Sequence, residues 1–215
     1  MNGRLALPIA VACACAGLLV GCSSDPILGT PASGSTTATT TASTSGAPGP
    51  ADSGEAPTVQ NPLPASVLDG NPCDSALTTE QVASFIGTTK APQRSDIATG
   101  PQCTWFSVDG VSGQISVYYN TKAGGGLNAT YRNVRPDADR WEPMTLQGYP
   151  AVATAQKGLS QSTTGACNAF VGISNDLTFG VGLVLGDNAR ERGVDSCAGV
   201  QKVANAVLTN LKGRS

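Results

Sequence analysis

Two stretches of this chain repeat their apolar positions with helical spacing. In Leu77-Thr78-Thr79-Glu80-Gln81-Val82-Ala83-Ser84-Phe85-Ile86-Gly87, the residues Leu77, Val82, Phe85 and Ile86 fall on one stripe. Thr78 is placed to cap this helix, Gln81 three residues on completes a capping box, and Gly87 stops it. A second helix is predicted from about Asp195 to Leu211, where Val200, Val203, Ala204, Val207, Leu208 and Leu211 recur at the same spacing. Asp195 or Ser196 caps it, and Lys212 and Arg214 stand where the helix dipole favours cations.

Between the helices the period is two. Cys103 to Val108 and Gln114 to Tyr119 read as strands joined by a turn near Asp109-Gly110. Ala166 to Ile173 and Leu177 to Leu185 form a second pair, turning at Ser174-Asn175-Asp176. Met144 to Leu146 and Ala151 to Thr154 are shorter candidates flanking Gly148-Tyr149-Pro150, and Gly124-Gly125-Gly126 is a loop. Residues 127–141 fit either a loop or a helix that starts near Leu127 and stops before Pro136. The pattern predicts a single α+β domain over 69–213, an antiparallel sheet with N- and C-terminal helices packed on one face.

The N-terminus changes the picture by fixing a compartment. Met1 to Gly21 carries one basic residue, Arg4, and an apolar run from Leu5 to Val20 interrupted by Pro8. That run is short for a bilayer span, which needs roughly 20 apolar residues, and reads as a signal peptide. Leu19-Val20-Gly21-Cys22 resembles the lipobox of bacterial lipoproteins, which implies a diacylglyceryl thioether on Cys22 and a membrane anchor outside the cytosol. From Ser23 to about Ser66 the chain is rich in Thr, Ser, Ala, Gly and Pro and poor in large apolar residues, so residues 22–68 are expected to be a lipidated, disordered tether. About 45 such residues span roughly 35–40 Å.

Cleavage before Cys22 removes Cys13 and Cys15, and lipid consumes Cys22 itself. Cys73, Cys103, Cys167 and Cys197 remain. An even set in an exported chain points to two disulfides. Zinc, the competing reading, favours paired short spacings or histidine ligands, and the chain has neither. Parity then selects a pairing. Cys167, Ala169, Val171 and Ile173 share one face with Leu177, Phe179, Val181, Leu183 and Leu185, while Gly172, Gly180 and Gly182 point the other way. A Cys167–Cys197 bond places the last helix on the aliphatic face, where its own stripe also belongs. By the same logic Cys73 pairs with Cys103.

Asn71-Pro72-Cys73, the helix Leu77 to Gly87, Cys103-Thr104-Trp105, Gly148-Tyr149-Pro150-Ala151, and Cys167 and Cys197 ahead of the last helix together define a pattern. It resembles an actinobacterial family, the mycobacterial Lpr/Lpq-type lipoproteins that carry a shared domain of unknown function. The resemblance covers the whole folded region and implies the anchor, the compartment and disulfides, but no activity.

Candidate chemistry is sparse. The chain has no histidine, which removes the Ser-His-Asp triad, the Cys-His pair and histidine metal ligation together. The acids Asp109, Asp137, Asp139, Asp176 and Asp187 sit in turn-like or helix-end contexts, and Lys122-Ala123-Gly124-Gly125-Gly126 lacks the order of a phosphate-binding loop. No enzyme activity, metal or cofactor is expected. A formal charge of −2 without a basic patch argues against nucleic acid. Trp105, beside a bridged cysteine, is expected in the core. Trp141, Tyr118, Gly180 and Gly182 are the candidate contacts for a ligand or partner. Tyr118-Tyr119 puts one ring on each face, and the glycines make the non-aliphatic face smooth. Two functions follow as expectations: binding of an envelope protein or cell-wall component, or carriage of a lipid or glycolipid in an apolar cavity between sheet and helices.

Overall fold

The period-two stretches pair into one antiparallel sheet in a computed structural model that describes residues 54–109, 113–158 and 165–215. The leader, Cys22, the tether up to residue 53 and Gly110 of the first expected turn lie outside the described residues. Seven strands appear among those described: β1 (Gln93–Ile97), β2 (Gly100–Phe106), β3 (Gly113–Asn120), β4 (Ala138–Leu146), β5 (Tyr149–Gln156), β6 (Ala166–Gly172) and β7 (Thr178–Leu185). Their order is β1-β2-β3-β7-β6-β5-β4. The sheet is thus two meanders joined edge to edge through β3 and β7. The chain must therefore pass from the middle of the sheet at β3 to its far edge at β4. Helix α3 (Gly126–Asn133) lies on that crossing.

The other helices are α1 (Pro72–Ser75), α2 (Thr79–Ile86), α4 (Asp187–Glu191) and α5 (Ser196–Lys212). In α2 the capping box forms in full: Gln81 N donates to Thr78 Oγ1 at 3.2 Å and Thr78 N to Gln81 Oε1 at 2.8 Å. At the head of α5, Asp195 accepts from Cys197 N at 2.8 Å and Ala198 N at 3.3 Å. Arg140 on β4 grips the same carboxylate with two 2.8 Å bonds.

One face of the sheet is the core. Cys103, Trp105, Ile115, Val117, Tyr119, Phe179, Val181 and Cys167 point into it, against Val200, Val203, Val207, Leu208 and Leu211 of α5 and Val82 and Ile86 of α2. The five α5 residues are fully shielded from water. Two disulfides clip helices to strands on this face, Cys73–Cys103 from α1 to β2 and Cys167–Cys197 from β6 to the first turn of α5. The parity argument therefore holds. Trp105 is buried, and Tyr119 is too, its hydroxyl sharing a 2.9 Å hydrogen bond with Ser75 Oγ.

The ordered domain begins earlier than residue 69. Val59, Val67 and Leu68 belong to the core, and Leu63 packs against it. Leu63 N donates to Ile173 O at 2.9 Å, Val59 N to Asn175 Oδ1 at 3.0 Å and Ala56 N to Asn128 Oδ1 at 2.8 Å. A few apolar side chains and three hydrogen bonds are enough to strap residues 56–63 to the domain, which therefore takes in residues that the sequence reading assigned to the tether.

Residues 127–141 resolve into α3, a 3-10 turn at Arg135–Asp137 and the start of β4. The β4–β5 hairpin turns at Gln147 and Gly148, both at positive φ, as a type I′ two-residue turn requires. Gln147 Nε2 reaches α5 there, donating to Thr209 Oγ1 at 2.8 Å and Asn205 O at 3.0 Å.

Candidate binding face

The second face of the sheet is half covered, and sheet register shows what it presents. Directly opposite residues form one row, Gln102, Tyr118, Gly180, Phe170, Val152 and Pro143, running from β2 to β4. The neighbouring row is Thr104, Ser116, Gly182, Asn168, Thr154 and Trp141. One row is largely aromatic and aliphatic, the other largely hydroxyl and amide. Neither contains Lys, Arg, Asp or Glu.

Helix α3 sits over the apolar row. Leu127, Tyr131 and Val152 form a small second core there, with Trp141, Phe170 and Ala56 packed against it. Tyr131 meets Trp141 edge to face at 4.9 Å, and Arg135 lies 5.8 Å from the Trp141 ring. Trp141 is thus half-buried between β4 and α3 rather than held out toward a partner.

Tyr118 and Phe170 meet edge to face at 5.9 Å. They help line a cavity of about 220 Å³ between the sheet and α3, together with Asn120, Thr130, Asp176 and Thr178. Asn120 Nδ2 donates to Thr178 Oγ1 at 3.0 Å on its wall. Gly124 and Gly126 close one side; of the three glycines expected to form a loop, Gly126 is the first residue of α3. A side chain at Gly126 would collide with Asn175 O, which lies 2.3 Å from where its Cβ would be. Burial raises the Tyr118 phenol well above its ordinary range, so it is a neutral donor at any physiological pH.

The glycines of this face differ from one another. The Tyr118 ring lies on Gly180, where a Cβ would stand 2.0 Å from Tyr118 Cε2. Gly172 faces Val59, Leu127 and Pro150. The face expected to be smooth throughout is therefore filled at these two positions, because a neighbouring side chain uses the space each leaves. Gly182 alone of the three is half-exposed.

In the polar row Thr104 and Ser116 share a 3.1 Å hydrogen bond, Gln102 Nε2 donates to Thr104 at 3.0 Å and Gln114 Nε2 to Ser116 at 3.1 Å. At its far end Trp141 Nε1 and Thr154 Oγ1 are buried without a hydrogen-bond partner.

The structure puts Tyr118 on the face that holds Gly180 and Gly182, a choice between Tyr118 and Tyr119 that sequence reasoning left open. That reasoning missed Phe170, Asn168 and Thr154, although the alternation that singled out the glycines of β6 and β7 puts these residues on the same side. A broader hollow of about 700 Å³ lies at the far end of α5, beside Asp69, Asp74 and Arg214. Arg214 is spent there on the carbonyls of Val67 and Asp69, at 3.1 and 3.3 Å. No group of three or more acidic, cysteine or histidine side chains is placed to hold a metal among the described residues. What the second face offers chemically is hydroxyls, amides, an indole N–H and two rings.

A model of the family described as "Protein of unknown function (DUF3558)" matches residues 17–210. No curated protein and no solved structure matches the chain.

Proposed function

The chain belongs to the DUF3558 family, proteins whose function is unknown, and from that premise we propose that it is a non-enzymatic binding protein of the cell envelope. It is held to the outer face of the membrane through lipid on Cys22, and it binds a cell-wall component at the sheet face beside α3. The observation that carries this reading is the cavity under α3, with Tyr118 and Phe170 on its apolar side and Asn120, Thr130 and Thr178 on its polar side. Apolar walls with a few placed polar groups are what small-molecule sites share.

Carriage of a whole lipid is the weaker reading. The interface of α5 with the sheet is closed by fully buried side chains. The cavity under α3, at about 220 Å³, lies below the roughly 300–1,000 Å³ of ordinary ligand pockets. It suits one ring or a short substituent.

A photo-crosslinking residue at Asn133, on the cavity rim, tests the proposal in the lipidated protein within its own envelope. Lys202, exposed on the outer side of α5, serves as control. Adducts of discrete mass from position 133 and not from 202 support the reading. Equal labelling from both positions, or none from 133, contradicts it, and adducts of lipid mass alone favour carriage.

A further inference from the structure

We propose that β1 is the surface through which two copies of this chain associate, edge to edge, about a twofold axis at Ser95. The proposal goes beyond the binding-face reading and does not depend on it.

The sheet ends in two edge strands, β1 and β4. β4 is guarded. Pro143 within it has no N–H to offer a neighbouring strand, and Arg140 is held by Asp195 at the head of α5. β1 lacks such devices: Gln93-Arg94-Ser95-Asp96-Ile97 contains no proline and is exposed at every position. An edge of this kind offers a row of backbone donors and acceptors to another strand.

The register with β2 shows which groups are offered. β1 pairs with β2 as Ser95↔Gln102, Asp96↔Pro101 and Ile97↔Gly100. Pro101 cannot donate, so Asp96 stands opposite it as a non-hydrogen-bonded pair, and alternation along the ladder makes Arg94↔Cys103 another. Gln93, Ser95 and Ile97 therefore turn their N–H and C=O toward β2. Arg94 and Asp96 turn theirs away from the sheet.

A second copy of β1 can meet those outward groups in an antiparallel sense. Centred on Arg94, the pairing sets Arg94 against the partner's Arg94 and Asp96 against the partner's Pro92, which lacks an N–H. Centred on Asp96, it sets two carboxylates face to face. Centred on Ser95, Arg94 stands opposite the partner's Asp96, and Asp96 opposite the partner's Arg94. Each of those pairs exchanges both of its backbone hydrogen bonds and joins opposite charges, whereas like charges directly opposite repel. In the single chain Arg94 and Asp96 pair with each other at 3.6 Å, both more than half exposed. Water screens that contact, and the cross-strand pairs replace it.

The twofold axis stands perpendicular to the sheet, so the seven-stranded sheets join into one and both second faces look the same way. The two cavities under α3 then open on one surface, where a ligand with repeated groups meets both at once.

Disulfide trapping in the full-length protein, within its own envelope, tests this. Ser95 meets its own copy as a non-hydrogen-bonded pair, with Cα atoms about 4.5 Å apart, inside the roughly 4.4–6.8 Å range of disulfides. After mild oxidation, Ser95→Cys is expected to give a species of doubled mass on a non-reducing gel that the unsubstituted chain does not give. Its yield should exceed that of Gln93→Cys or Ile97→Cys at least tenfold, because the like positions of those variants stand roughly 13 Å apart along the strands. With Ser95→Cys in place, Arg94→Asp is expected to lower the yield at least fivefold, and adding Asp96→Arg to restore it. All of these side chains are exposed, so the melting temperature should not change. Equal yields from the three positions, no dimer from Ser95→Cys, or a charge swap that fails to restore the yield overturns the inference. Trapping of a different protein by Ser95→Cys overturns it too, because a foreign strand then occupies the edge.

Discussion

Gly180→Ala is the sharpest test of how the second face is built. An ideal Cβ at residue 180 would lie 2.0 Å from Tyr118 Cε2 and 2.4 Å from Cζ, so the ring must leave its seat. Overpacking of this kind costs about 1–3 kcal/mol. The ring also gives up its edge contact with Phe170 at 5.9 Å, worth about 0.5–1.5 kcal/mol. Gly180→Ala should therefore destabilise the domain by about 2–3 kcal/mol. With Tyr118→Ala already in place the obstacle is gone. Alanine then gains over glycine by restricting the unfolded chain, and the same substitution should stabilise by about 0.5 kcal/mol. The double-mutant cycle should show a coupling near 3 kcal/mol, at the upper end for residues in contact. Equilibrium urea unfolding of the four proteins gives each term from its midpoint at a common slope. Equal effects of Gly180→Ala in both backgrounds would refute the flat seating of Tyr118.

Other consequences are separately measurable. Cys167→Ser opens a bridge of sequence separation 30 and should cost roughly 3–4 kcal/mol in the chain-entropy account, leaving Cys197 open to alkylation while Cys73 and Cys103 stay unlabelled. Hydrogen bonds from Arg140, with backbone donors of α5 in support, hold the Asp195 carboxyl below its ordinary value. A group lowered on folding contributes stability that is present above its unfolded value of about 3.9 and is lost as pH falls through the folded one. Stability of the wild type should therefore fall on the acid side of about pH 4, and Asp195→Asn should flatten that limb when urea midpoints are compared from neutral to acid pH. Cys22→Ser should move the protein from the membrane fraction to the soluble fraction. Intact-mass analysis would show whether the unsubstituted chain carries lipid at all.

Much of this architecture is legible because it follows from periodicity. The stripes of α2 and α5, the capping box at Thr78 and Gln81, and the parity of Cys167 with the aliphatic residues of β6 and β7 each rest on short-range regularities. What escapes is set by long-range topology. β1, Gln93–Ile97, is exposed throughout, and an edge strand with no buried side has no alternation to read. β4 extends back to Ala138 through a register shift between Ala138 and Arg140, so its N-terminal half merges with the helical region before it. α3 covers the second face only because β4 lies at the far edge of the sheet, and strand order is invisible in local pattern. For that reason Trp141, which reads as a partly exposed contact residue, lies beneath a helix. Alternation separates Tyr118 from Tyr119, but which of them faces the core, and the seat of Tyr118 on Gly180, depend on β3 pairing with β7, two strands nearly sixty residues apart along the chain.

Amide chemical-shift mapping on the isotope-labelled chain, titrated with soluble fragments of cell wall, tests the central claim most directly. The account predicts perturbations gathered around Tyr118, Asn168, Phe170 and Gly182 and on the inner side of α3. Shifts concentrated on α2 and α5, or no saturable shifts at any concentration, would contradict it.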